Sequence, residues 1–178
     1  MTPTAPQPAL PRPRSVARTA AVQALYQMDM AGTDLNQVID EFQSVRFAPE
    51  IAATADADPR QTVDPEERAE GADAQFFADI LRGVVRRQRD IDPMIDTQLA
   101  EGWRLVRVDS ILRAILRAGV FELIERTDVP ARVVINEYIN VAHAFFDVEE
   151  PRVVNGVLDR IARKVRGGDI PAGPKKTA

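Results

Sequence analysis

Apolar residues recur every three or four positions along most of the chain, the spacing that places them on one face of a helix. Ala17, Ala20, Ala21, Ala24, Leu25 and Met28 form the first such face, and its alanines predict close approach to a neighbouring helix. Gly32 ends this helix, and Thr33 or Asp34 caps a second, carrying Leu35, Val38, Ile39, Phe42 and Val45 to about Phe47. Phe76, Phe77, Ile80, Leu81, Val84 and Val85 make a third stripe that ends near Arg89. Asp92-Pro93 reads as a capped restart, with Ile95 and Leu99 leading to Glu101-Gly102 and Trp103 as an interior anchor. Val108, Ile111, Leu112, Ile115, Leu116, Val120, Leu123 and Ile124 predict a long buried helix at the centre of the fold. Asp128-Val-Pro130 and Glu149-Glu150-Pro151 open the last two helices, with acids placed where the helix dipole favours them. Val133-Val-Ile135 and Val153-Val154 favour strands locally, but the longer helical pattern outweighs them. The pattern predicts an all-α protein of about seven helices.

Residues 48–70 break the pattern. Pro49, Pro59 and Pro65 lie among alanines and acids, which predicts an acidic loop or insertion, with a short helix after Pro65 allowed. Residues 1–13 are proline-rich and 167–178 follow Gly167-Gly168, so both ends are expected to be tails without order. One helical domain spans 14–166.

A chain of 178 residues with 45% hydrophobic residues is long enough for one sizeable core. No run approaches the ~18 apolar residues of a membrane span, and the N-terminus lacks the apolar stretch of a signal peptide. With no cysteine, disulfides and thiolate metal sites are excluded; the expected location is the cytoplasm. The net charge of -4 is unevenly spread: residues 1–28 carry three arginines and no acid, whereas 29–73 carry 12 acids and 3 bases. A single-sign segment of this kind attracts phosphate despite an acidic whole.

No catalytic constellation is legible. His143 is the lone histidine, with no cysteine beside it to complete a metal site. No nucleophile sits in a recognisable motif, and Glu149 and Glu150 are better read as a helix N-terminus than as acid–base machinery. No cofactor or metal is expected. Asn155-Gly156 lies inside a helical stripe, so the glycine predicts a close helix crossing rather than a hairpin turn. Arg12, Arg14 and Arg18 are the candidate phosphate contacts, and Tyr26 a candidate for stacking on an unpaired base. A solvated helix end and a core-edge tyrosine are the plainer alternatives. Arg82, Arg86, Arg87 and Arg89 form a second cluster, most simply a solvated face. Arg113 and Arg117 share a face of an apolar helix and are placed to meet an acid or backbone carbonyls.

Several motifs occur together in order. They are Ala21-Val-Gln-Ala-Leu-Tyr26, Phe77 to Gly83-Val84, Trp103, and Ile115-Leu-Arg-Ala-Gly-Val-Phe-Glu-Leu123. Val129-Pro130, Ile135-Asn-Glu137 and Val154-Asn-Gly-Val-Leu-Asp159 complete the set. Together they resemble the NusB family of bacterial transcription antitermination factors. The resemblance implies two packed three-helix units and no enzyme activity. It further implies binding to the boxA element, a single-stranded RNA of ribosomal RNA transcripts, together with NusE, a small-subunit ribosomal protein, within an RNA polymerase antitermination complex. On that basis RNA would meet Arg12, Arg14, Arg18, Tyr26, Phe145 and Arg152, and NusE would meet the Trp103–Glu122 region, including Arg113, Arg117 and Glu122. Leu112, Tyr138, His143 and Val153 depart from the residues common in the family. Two rivals stay open: a helical scaffold, such as a homodimer, without RNA function, and a relative of the N-terminal domain of ribosomal RNA cytosine methyltransferases. No cofactor domain of the latter is expected, since little sequence follows the last helix.

Overall fold

The computed structural model describes residues 12–47 and 72–170, so the acidic stretch 48–70, residues 1–11 and residues 171–178 lie outside the described residues. Six α-helices follow one another: α1 (Pro13–Ala31), α2 (Leu35–Glu41), α3 (Ala74–Asp96), α4 (Ser110–Glu125), α5 (Ala131–Phe145) and α6 (Glu149–Val165). They form two three-helix units, α1–α3 and α4–α6, joined where α4 packs on both α1 and α3. No strand occurs among the described residues.

Local chemistry explains most of the boundaries. Pro13 opens α1, and Gly32 at φ 65° closes it, its N–H donating to the Met28 carbonyl at 3.0 Å. Asp34 caps α2, accepting from the N–H groups of Asn36 and Gln37. Asp73 and Asp109 do the same for α3 and α4. Glu149 and Glu150 in the first turn of α6, with Arg163 and Lys164 in its last, match the helix dipole.

The second helix does not run regularly to Phe47. It widens into a π-turn over Phe42–Arg46, and the Phe47 N–H donates to the Phe42 carbonyl at 3.1 Å. In an α-helix these two rings, five residues apart, would diverge by roughly 140°. The wider turn turns both toward Phe77, whose centroid lies 5.3 Å from that of Phe42 and 4.9 Å from that of Phe47.

The expected restart at Asp92-Pro93 is also absent. α3 continues through Pro93 to Asp96. An internal proline costs about 3 kcal/mol. Ile91 and Ile95, both fully buried on either side of it, contribute about 1.5–3 kcal/mol each, enough to offset that cost.

Two packing expectations are corrected. Trp103 is 54% exposed and anchors nothing; Leu105 takes the interior place, its N–H donating to Asp96 at 2.7 Å. Gly156 meets no second helix, because a Cβ there would face only the Arg160 guanidinium at 3.3 Å. The close crossings are Gly83 against the Phe121 ring, and Gly119 against Leu158. At the C-terminus order passes Gly167-Gly168, since Ile170 is buried. Buried Arg166 there donates to the carbonyls of Val129, Arg126 and Glu122, tying α6 to the end of α4.

Candidate nucleic-acid and partner surfaces

The three N-terminal arginines of the candidate RNA surface end in three environments. Arg12 is exposed at the N-cap position of α1. Arg14 is exposed too, but it lies over the Phe76 ring and faces Asp73 at 3.7 Å and Asp128 at 3.5 Å. Acids missing from its own segment are supplied from elsewhere in the fold.

Arg18 is only 3% exposed. Its Nε and Nη2 donate to the two carboxylate oxygens of Glu122 at 2.7 and 2.9 Å, and Nη1 lies 3.3 Å from Glu137. Burial works against the charge, but the hydrogen bonds and charge of Glu122 outweigh it, and the guanidinium pKa is raised. The expectation of RNA contact at Arg18 is therefore corrected, as is that of partner contact at Glu122, which is fully buried. Each satisfies the other inside the fold.

Tyr26 and Phe145, by contrast, come together. They line one recess of about 450 Å³, with Val22, Met30 and Ile111 as further apolar lining. Tyr26 is 37% exposed. Arg46 also lines the recess and was not anticipated; it donates to Gln23 at 3.2 Å and lies over the Phe42 ring. Its only trace in the sequence is a lone arginine at the edge of an acidic stretch. Arg152 is well exposed on α6, with a loose 3.6 Å approach to Glu149 that leaves it able to turn outward.

Arg113 and Arg117 do meet acid and backbone, as their spacing predicted. Arg113 donates to the carbonyls of Leu105, Val106 and Val108 and pairs with Asp29. Arg117 grips Asp92 with two hydrogen bonds of 2.8 and 2.9 Å. Both tie α4 to its neighbours and keep only a small exposed fraction. The outward surface beside them is Trp103 and Val106 (76% exposed), flanked by exposed Arg104 and Arg107.

The four departures fall in different places. Leu112 is buried core, His143 is exposed, and Val153 packs partly buried against the core. Tyr138 is fully buried, with no hydrogen-bond partner for its hydroxyl among the described residues. Its pKa is pushed up by burial and then by the neighbouring Glu122 charge.

Asp128 gives a pH-dependent expectation. Its hydrogen bonds from Arg126 lower its pKa from 3.8 to about 2. A depressed carboxylate pKa contributes stability that is complete above the ordinary value and lost as pH falls through the folded one. Carboxyl NMR titration is expected to place the Asp128 midpoint near 2, and Arg126→Ala to move it up toward 3.8. A wild-type midpoint already at the ordinary value would show that the pairing is not formed.

Among the described residues no group of His, Cys, Asp or Glu could hold a metal ion, and no helix is long and apolar enough to cross a membrane. What the fold and its surfaces define is an all-helical binding protein. The NusB family model matches residues 15–163, and the chain belongs to the NusB family. It is 48% identical over 160 residues to the transcription antitermination protein NusB of Rhodopseudomonas palustris strain TIE-1, covering 90% of this chain and 84% of that one. It is 51% identical over 153 residues to the NusB of Allorhizobium ampelinum, covering 86% and 88%. Among solved structures, NusB of T. maritima superposes with a TM-score of 0.66 at 27% identity, covering 90% of this chain and 98% of that one. A crystal of the antitermination factors NusB and NusE in complex with double-stranded RNA contains a chain of the same fold, with TM-score 0.62, 22% identity and coverage of 84% and 96%. These relatives are named as transcription antitermination proteins and are matched over most of their own length, not over the N-terminal part of a longer protein.

Proposed function

We propose that the chain is an antitermination adaptor that binds boxA single-stranded RNA together with NusE and so joins an RNA polymerase complex that resists termination. The observation that carries this reading is the convergence of Tyr26 from α1 and Phe145 from α5 in one open recess, with Arg46 beside them. Two aromatic faces next to a cation are what unpaired bases need for stacking and phosphate neutralisation. Arg12, Arg14 and Arg152 are the further exposed cations of the RNA surface. Arg14 lies twelve residues before Tyr26, roughly 18 Å along the helix and 120° around it. A strand touching both must wrap α1. NusE would meet the exposed Trp103–Val106 segment, which Arg113 holds in place from behind through the Leu105 and Val106 carbonyls, with Arg117 beside it. That arrangement has an apolar centre and a charged rim, the anatomy of a protein interface. A solved assembly of the same fold holds NusB with NusE and a double-stranded RNA, which supports NusE and RNA in general as partners.

The experiment is binding of labelled boxA-like RNA over a salt series, with and without NusE and against a scrambled control. Specific binding strengthened by NusE is expected. Tyr26→Ala and Phe145→Ala should each weaken it by about 1–3 kcal/mol, roughly 5- to 150-fold, with the fold unchanged. Absence of specific binding with and without NusE would reject the adaptor reading and favour a scaffold.

A further inference from the structure

The solvent face of α3 carries charge that nothing in the site above uses. Arg82, Arg86 and Arg89 are all exposed and follow the i, i+4, i+7 spacing that aligns them on one stripe. Three guanidinium groups thus span roughly 10 Å along the helix. Such runs are often neutralised by acids a turn away. Here the nearby acids are held by other arginines: Asp79 by Arg126, Asp90 and Glu125 by Arg87, and Asp92 by Arg117. Arg86 reaches Glu125 only at 3.7 Å, while Arg82 and Arg89 make no ion pair or side-chain hydrogen bond among the described residues. The stripe is therefore a net positive track on an acidic protein.

We infer that this face of α3 is a second, sequence-indifferent contact for the RNA phosphate backbone, engaging nucleotides that flank the segment read at the Tyr26–Phe145 recess. The inference rests on the adaptor reading. Arginine forks suit phosphate oxygens. Among the described residues the stripe offers no exposed aromatic ring for a base, and Val85 and Pro93 are small exposed apolar neighbours. That surface gives a protein partner little to bury, but it gives phosphates three charges in line.

The test compares a boxA-length RNA with one extended on both sides by uridines. The proteins are the wild-type chain, a triple Arg82→Gln, Arg86→Gln, Arg89→Gln variant, and Tyr26→Ala, all with NusE present. The three glutamines replace exposed side chains, and circular dichroism and melting confirm the fold. Wild-type protein should bind the extended RNA more tightly and with a steeper salt dependence than the short one. The triple variant should lose that gain, with the slope of log affinity against log salt falling by up to about 2, since each phosphate contact on single strands contributes about 0.7. Its preference for boxA over scrambled sequence should survive, whereas Tyr26→Ala should lose preference and keep the gain from extension. Equal loss of affinity for both lengths, or no loss at all, would overturn the inference while leaving the adaptor reading standing. Intact RNA binding to the variant with loss of the NusE-dependent enhancement would overturn it in favour of a protein contact. Failure of the wild-type chain to prefer boxA would reject the adaptor reading itself.

Discussion

Arg18→Ala is expected to destabilise the fold by about 3–5 kcal/mol, the usual cost of removing one partner from a buried ion pair. Glu122 is fully buried, and Arg18 supplies both hydrogen bonds to its carboxylate. Its removal leaves a charge in the interior among α1, α4 and α5. Ordinary domains have only about 5–15 kcal/mol of total stability, so the shift in the urea midpoint should be large. Arg14→Ala, one turn earlier on the exposed side, should change stability by less than about 1 kcal/mol. Replacing both buried partners together, as Arg18→Met with Glu122→Leu, should recover most of the loss, because the cost lies in the orphaned charge. Where Arg18→Ala is still folded, its RNA affinity should match the wild type. A wild-type urea midpoint for Arg18→Ala would show that this pair does not hold α1 to α4, and a folded variant with weakened RNA binding would return Arg18 to the RNA surface.

That pair also shows where sequence reading stops. The helical period fixed the faces of α1, α4, α5 and α6, because burial of one stripe is a local pattern repeated every turn. The caps at Asp34 and Gly32 were legible for the same reason: each acts within four residues of itself. Arg18 and Glu122 are 104 residues apart, and no local rule couples them. An arginine in a segment without acids looks free until the fold brings an acid from another helix. The same holds for Arg14, whose acids Asp73 and Asp128 come from the start of α3 and the loop before α5.

Pro93 and Trp103 failed for a different reason. Residue type alone makes proline a helix start and tryptophan an anchor. Tertiary burial decided otherwise, since Ile91 and Ile95 keep α3 intact across the proline, and Leu105 rather than Trp103 fills the interior. The displaced tryptophan becomes informative, because an exposed indole beside exposed Val106 offers a partner an apolar centre. Tyr26 is a stacking candidate by residue type and Phe145 through family resemblance, and only the geometry places them in one recess with Arg46.

Gly83→Leu is expected to cost about 3 kcal/mol or more, the upper end for overpacking a core. A Cβ at Gly83 would lie 2.0 Å from Phe121 Cε2 and 2.2 Å from Cζ, and the Phe121 ring is itself buried between α3 and α4. Neither helix can withdraw cheaply, because Arg117–Asp92 and Arg87–Glu125 also join them, through α4 residues one turn to either side of Phe121. Even Gly83→Ala should lower the melting temperature, although alanine improves helix propensity by about 1 kcal/mol. Gly156 provides the contrast. There a Cβ meets only the mobile end of Arg160, so Gly156→Ala should keep or raise the melting temperature. The two glycines look alike in sequence, each inside a helical stripe, and opposite shifts would separate a packing requirement from a surface position. Combining Gly83→Ala with Phe121→Leu should restore part of the loss by vacating the ring's volume. A Gly83→Ala protein that melts with the wild type would mean that α3 and α4 do not cross at this distance.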